Sequence, residues 1–216
     1  MTSLRAIVAI AIVAGGVGLG AQGASTWQEW SASESQRIVK STVETGRIAG
    51  GRRLLNTERA RSYKLRAAWL TPDVVQAAAR LHQLRSRLAP AVIESFITDL
   101  LRPGETAVMI EIDPDEGSGV IPLDWEAFLQ PKEAPDRGIA GRNTPAFGDA
   151  KLLSEGFPRN YDYDRFWMVF PLKGPRGPLF LETDEEAELV VRIYGREGRV
   201  RWLISPSLRR QSPQAN

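Results

Sequence analysis

The sequence predicts an α+β fold: a mainly antiparallel sheet covered by a helical hairpin, preceded by a signal peptide or N-terminal anchor and a flexible linker. Three observations lead there. Two adjacent helical patterns between Pro72 and Leu101 share one apolar side. Short segments of alternating apolar residues recur before and after them. Tyr161 to Pro171 is apolar on both alternating faces, and a strand of that kind needs a covering layer on each side.

Arg5 precedes an uncharged run of 18 residues from Ala6 to Gly23, with small residues at Ala21 and Gly23 ahead of a candidate cleavage point before Ala24. One cation, an apolar centre and a small-residue site form the layout of a secretory signal. An uncleaved anchor is the competing reading, since the run is near the lower limit for a spanning helix and Trp27 and Trp30 follow at interfacial distance. Gly15, Gly16, Gly18 and Gly20 bury little apolar area, which favours cleavage. Either way the remainder is expected outside the cytoplasm, periplasmic, secreted or anchored facing outward.

Residues 24–56 read as a linker with a short amphipathic helix around Glu34 to Thr45, because apolar residues are sparse and Gly50-Gly51 interrupt the pattern. A single globular domain is expected over 57–205. Tyr63, Leu65, Ala67 and Trp69 alternate with polar or small neighbours and predict a strand. Thr71-Pro72-Asp73 supplies a cap, a proline at the first helical position and an acid in the first turn. Val74, Ala77, Ala78, Leu81, Leu84 and Leu88 then mark the buried face of a helix. Pro90 starts a second helix, with Val92, Ile93, Phe96, Ile97, Leu100 and Leu101 on one stripe, and Pro103-Gly104 stops it.

Thr106 to Ile112 alternates as a strand. Asp124 caps an expected helical turn through Gln130, closed by Pro131; Lys132 to Asn143 reads as a polar surface loop; Thr144-Pro145 starts a further short helix ending before Gly156. Leu189 to Ile193 and Val200 to Ile204 flank Gly195-Arg196-Glu197-Gly198, an expected hairpin with a four-residue loop. Residues 206–216 lack apolar periodicity and read as a disordered tail.

The chain has no cysteine, which excludes disulfides, a thiol nucleophile, Cys-ligated metal centres and a lipidated cysteine. Its net charge of +2 hides a segmental pattern. Ser25 to Pro90 carries 12 Lys/Arg against 5 Asp/Glu, Ala91 to Val190 carries 9 against 20, and Val191 to Asn216 carries 6 against 1, with Arg5 completing the total. Such a pattern marks either an anionic partner or opposite-sign surfaces that meet within one fold, and the second is the simpler reading.

The acids Glu111, Asp113, Asp115, Glu116, Asp162 and Asp164 lie at the ends of two predicted strands. Five of them, Asp113, Asp115, Glu116, Asp162 and Asp164, form a candidate calcium site, because calcium takes six to eight oxygens and the Asp113 to Gly119 loop is oxygen-rich. Gly117 at the third ligand position and Pro114 depart from the calcium-loop pattern. Apart from calcium no cofactor is expected. A carboxylate pair among these acids also defines the alternative function, a hydrolase acting on an extracellular polymer, with Trp69, Trp125, Trp167 and Trp202 as possible sugar platforms.

His82 is the only histidine, and Gly117-Ser118-Gly119 lacks the geometry signature of a nucleophile elbow. The basic group from Arg47 to Arg66 lacks interleaved aromatics before Tyr63, and no nucleic acid is expected as a partner. Lys173 to Pro178 lacks the spacing of a phosphate loop and reads as a connection between strands. The leading expectation is an exported, non-catalytic envelope or secreted module that binds a protein or polymer, through the Asp113 loop and the Lys132 to Asn143 loop. Contact with a membrane is expected only through the N-terminal segment, if that stays uncleaved.

Overall fold

A computed structural model describes residues 26–48, 62–116, 118–147, 151–160, 162–205 and Leu208. The expected leader, residues 49–61 and nearly all of the tail lie outside the described residues. Along the chain come α1 (Ala32–Lys40), β1 (Val43–Ile48), β2 (Tyr63–Leu70), α2 (Pro72–Ser86), α3 (Pro90–Leu100), β3 (Glu105–Pro114) and β4 (Glu126–Pro131). Then follow β5 (Ile139–Ala140), β6 (Arg142–Asn143), α4 (Lys151–Gly156), β7 (Asp164–Pro171), β8 (Lys173–Gly174), β9 (Gly177–Pro178), β10 (Glu186–Ile193) and β11 (Arg196–Leu203). Among the described residues no helix is long and apolar enough to cross a membrane.

The strands build two main antiparallel sheets, one in the order β1-β2-β3-β7-β6 and the other β11-β10-β4-β5, with β8 and β9 as a separate ribbon. Strand periodicity splits the first sheet's side chains between two cores. Leu65, Trp69, Ile110 and Phe170 face the second sheet and meet Leu129, Leu189, Val191 and Trp202. Ala68, Met109, Trp167 and Val169 face the helices and meet Val74, Ala78, Leu81 and Ile93. The expected two-sided cover of the central strand is thus helices on one face and further strands on the other.

Both edges of the sandwich are closed by close backbone approach. The chain crosses from the second sheet to the first between β5 and β6 at Gly141, where a Cβ would stand 2.6 Å from the Phe170 ring. On the opposite edge β1 lies against β11: a Cβ at Gly46 would stand 2.7 Å from the Arg199 carbonyl oxygen, and one at Gly198 would strike Ile48. Following the neighbours from β1 through β2, β3, β7, β6, β5, β4, β10 and β11 returns to β1.

That circuit corrects the expected linker. Ser31 caps α1 by accepting from the Glu34 N–H at 3.2 Å, and β1 adds an antiparallel edge to β2 from Val43↔Ala68 to Ile48↔Tyr63. Few apolar residues suffice because β1 is an edge strand, and the two that matter, Val39 of α1 and Ile48, are fully buried. The C-terminal boundary also moves, since Leu208 is buried in the core between the sheets.

Two further local expectations are corrected. In place of a helical turn from Asp124 to Gln130 the chain forms β4, which pairs with β10 from Ala187↔Pro131 to Arg192↔Glu126. Ala127 and Leu129 point inward, while Phe128 turns out beneath Arg192, whose Cζ is 4.7 Å from the ring centre. The β10–β11 hairpin turns at Tyr194-Gly195, not at residues 195–198; both have positive φ (51° and 72°), as a two-residue type I′ turn requires. The expected loop from Lys132 to Asn143 contains a 3-10 turn at Pro135–Arg137 and the short strands β5 and β6.

Candidate functional site

The acids at the strand ends are engaged by cations from neighbouring strands. In the β2–β3–β7 ladder Arg66, Glu111 and Arg165 stand side by side. Glu111 is 0% exposed; its Oε2 accepts from Arg66 Nη1 at 2.8 Å, and its Oε1 accepts from Arg165 Nε at 2.9 Å and Nη2 at 2.5 Å. One row further Lys64 Nζ donates to Asp113 Oδ2 at 2.8 Å. Beyond it Arg47 pairs with Asp115, which also accepts from Ser62 Oγ at 2.5 Å. The Ser62 hydroxyl, with Arg47 beside it, holds the Asp115 carboxyl below its ordinary value, and the Asp113 carboxylate raises the Lys64 ammonium. The basic N-terminal segment and the acidic middle segment therefore meet within the fold.

The same register separates the candidate calcium ligands. Glu111 is opposite Arg165 and Ile112 opposite Asp164, so Asp164 projects from the sheet face away from Asp113. Glu116 and Asp162 are exposed in turns, Asp162 donating its N–H to Asn160 Oδ1 at 3.1 Å. Asp113, Asp115, Glu116, Asp162 and Asp164 do not converge on one centre, and this arrangement does not fit a calcium cage. Among the described residues no group of three or more His, Cys, Asp or Glu side chains is placed to hold a metal ion.

Near His82, Ser86 Oγ is 3.4 Å and Glu155 Oε1 3.9 Å from the same ring nitrogen, Nδ1. A Ser-His relay needs the hydroxyl and the acid on opposite nitrogens. Ser118 is elsewhere, accepting the Ser62 N–H at 2.9 Å. Trp69, Trp167 and Trp202 are buried, and Trp125 packs edge-on to Phe166 at 4.8 Å. Trp202 and Trp69 floor a cleft of about 870 Å³ whose rim carries Glu44, Glu185, Glu186 and Arg201. Glu186 is ion-paired with Lys132, which pulls its carboxyl below the ordinary range, whereas a general acid needs the reverse.

A different cavity, of about 270 Å³, sits between the helical hairpin and the first sheet. Leu70, Val75, Ala107, Phe147 and Val169 wall it, and Leu100 and Leu101 from the end of α3 close one side. Its size is near the lower end of ligand sites, roughly 300–1,000 Å³, and its lining is the predominantly apolar kind with few polar groups that such sites show. α3 explains why the space is open. Only Ile93 and Ile97 of that helix are buried, while Val92 and Phe96 remain 45% and 42% exposed. Val92, Phe96 and Leu100 follow at four-residue spacing, so an apolar stripe on the helix surface leads to the cavity.

The polar residues of this lining are Arg102, Glu105 and Thr106. Arg102-Pro103-Gly104-Glu105 forms a turn in which the Glu105 N–H donates to the Arg102 carbonyl at 3.2 Å, with proline second and Gly104 at φ 76°, the type II signature. This turn delivers Glu105 to the cavity at the start of β3. Its Oε1 accepts from Arg142 Nη2 at 2.8 Å, while Oε2 is buried and has no hydrogen-bond partner. Neither Glu105 nor Arg142 stands out in the sequence, because they are 37 residues apart and β7 brings them together: Glu105 pairs with Pro171 and Arg142 with Val169.

Comparison with protein-family models, with curated proteins and with solved structures found no match.

Proposed function

We propose that this protein is a non-catalytic binding module that works outside the cytoplasm and holds an apolar ligand beneath the α2–α3 hairpin. The observation that carries the reading is the cavity of about 270 Å³, mainly apolar in its walls and lined on one side by Leu100 of α3, the helix whose Val92 and Phe96 are exposed. Filling such a space with an apolar group removes surface from water at about 25 cal/mol per Å². A core that left the space empty would forfeit the contacts its lining could make. Export is supported by the Arg5 and Ala6 to Gly23 pattern.

Thermal unfolding of the full-length protein with an eight-carbon amphiphile such as 1-octanol tests the binding reading. A ligand selective for the native state raises the midpoint in a concentration-dependent way. The expected result is a rise that is lost in Ala107→Leu, which puts side-chain volume into the cavity. No rise up to the solubility limit of the probe contradicts the proposal.

A further inference from the structure

We infer that the cleft between the outer face of the second sheet and the β8–β9 ribbon is a second binding site, one for a hydroxylated carboxylate of the sugar-acid kind. The cleft holds about 550 Å³, within the roughly 300–1,000 Å³ of ligand sites. Phe128, Gln130 and Arg192 floor it, Arg137 and Gly138 stand on one side and Arg176 on the other. It lies across both sheets from the helical hairpin, so it is independent of the apolar cavity.

Gln130 supplies an acceptor. Its neighbour Leu129 points into the core, so Gln130 points outward, yet it is only 7% exposed. Nε2 donates to Glu188 Oε2 at 3.1 Å, and because that carboxylate, held by Arg199 and Arg201, only accepts, the bond fixes which end of the amide is oxygen. Oε1 accepts no hydrogen bond among the described residues and keeps accessible surface. It faces Gly138 of the cleft wall, where a Cβ would stand 3.1 Å from it. An open acceptor on a largely buried residue favours a ligand that donates, and a hydroxyl does so without bringing a charge out of water.

Two guanidiniums supply the anion side. Arg192 donates Nε to Glu197 at 2.8 Å and rests on the Phe128 ring. Arg176 gives Nη1 to the Asp136 carbonyl, with Asp136 Oδ2 at 3.8 Å. The remaining guanidinium nitrogens of both donate to no described group, and the two side chains are 48% and 67% exposed. A guanidinium fork matches a carboxylate with two parallel hydrogen bonds. Arg137 is already taken, since Asp184 holds it at 2.9 and 2.7 Å, and it fixes the wall instead. A plain anion leaves Gln130 Oε1 without a donor, and a neutral sugar leaves the guanidiniums without a carboxylate. A sugar acid meets both.

Three probes on one carbon skeleton test this with the full-length protein: glucarate carries carboxylates and hydroxyls, adipate carboxylates alone and sorbitol hydroxyls alone. Binding is read by NMR titration at the Gln130 side-chain amide, the Arg192 Nε–H and the Ile139 methyls, all in the cleft lining, which tells it apart from entry into the hairpin cavity. Glucarate is expected to bind about tenfold or more tightly than either adipate or sorbitol, the increment of a hydrogen bond or a charge-assisted pair. Gln130→Met removes the acceptor and should bring glucarate down to the affinity of adipate. Arg192→Met should bring it toward that of sorbitol, and near-ultraviolet circular dichroism checks that each variant is folded. Equal binding of glucarate and adipate by the unmodified protein overturns the inference in favour of a plain anion site. Equal binding of glucarate and sorbitol overturns it from the other side. Shifts confined to residues outside the cleft, or none with any probe, also overturn it and leave the apolar-ligand reading as it stands.

Discussion

Arg165 grips Glu111 through two donors on one oxygen, Nε at 2.9 Å and Nη2 at 2.5 Å, and two more of its hydrogens tie down the chain after α4 through the Phe157 and Pro158 carbonyls at 2.9 and 3.0 Å. Arg66 completes the pairing of Glu111 from the other side. Removing one partner of a buried ion pair leaves an uncompensated charge, at about 3–5 kcal/mol. Arg165→Met is therefore expected to lower stability by about that amount in urea unfolding. Arg66→Met should cost less, because its side chain is 29% exposed against 13% for Arg165 and water takes over part of its role. Equal, small losses in both variants would contradict this view of the triad.

The exposed acid–base pairs give a pH dependence of known sign. The Asp115 carboxyl is lowered chiefly by the Ser62 hydroxyl, Glu186 by Lys132 and Glu197 by Arg199. A carboxyl whose folded value lies below its unfolded one stabilises the protein above the unfolded value and loses that contribution as pH falls through the folded one. The melting midpoint should hold steady from neutrality down toward the ordinary values of 3.8 for Asp115 and 4.5 for the two glutamates, then decline. Ser62→Ala should make the acid decline shallower. A midpoint that rises on acidification in that range contradicts the assignment.

The approach of β1 to β11 predicts intolerance to a single methyl group. Gly198→Ala and Gly46→Ala drive a Cβ into Ile48 and the Arg199 carbonyl respectively, and overpacking of this kind costs about 1–3 kcal/mol. A chain beginning at Thr57 would lack α1 and β1, leaving β2 an open edge and exposing the Trp202 indole, whose N–H donates to the Thr42 carbonyl at 2.7 Å. That truncation is expected to aggregate or to lose cooperative unfolding. Full stability of the truncated chain would restore the linker reading of this segment.

Much of this fold is legible from local pattern, and the exceptions have physical causes. α2 follows from its cap, where Thr71 Oγ1 accepts the Val74 N–H at 3.4 Å, and from an apolar face that the sheet then covers. β2, β3 and β7 follow from alternation. β4 misreads as helix because Trp125, Phe128 and Leu129 also suit helical spacing, and its pairing with β10 decides between the two. β1 is hidden by its polarity, since an edge strand needs few apolar residues and takes its place from β2 and β11. The charge pattern shows that opposite segments meet, but only the register shows Asp164 projecting away from Asp113. The cavity is the least legible part, because Glu105, Arg142, Phe147 and Leu100 come from separate elements whose convergence is wholly tertiary.

Gly104 links the helical hairpin to the cavity and offers a separable perturbation. At φ 76° an alanine is strained by about 1–3 kcal/mol, yet open space surrounds the site for its Cβ. Gly104→Ala is expected to lower the melting midpoint modestly while shifting a turn that lines the cavity, and so to weaken 1-octanol binding more than stability alone accounts for. Unchanged binding by a destabilised variant would separate the turn from the site.

The most direct test is a methyl-resolved NMR titration of the full-length protein with 1-octanol. Ligand contacts should appear first at Val75, Val169, Leu70 and Leu100, which wall the cavity, and leave the exposed Val120, Leu123 and Leu203 undisturbed. Contacts confined to those three surface residues, or none anywhere, would contradict a ligand site beneath the hairpin.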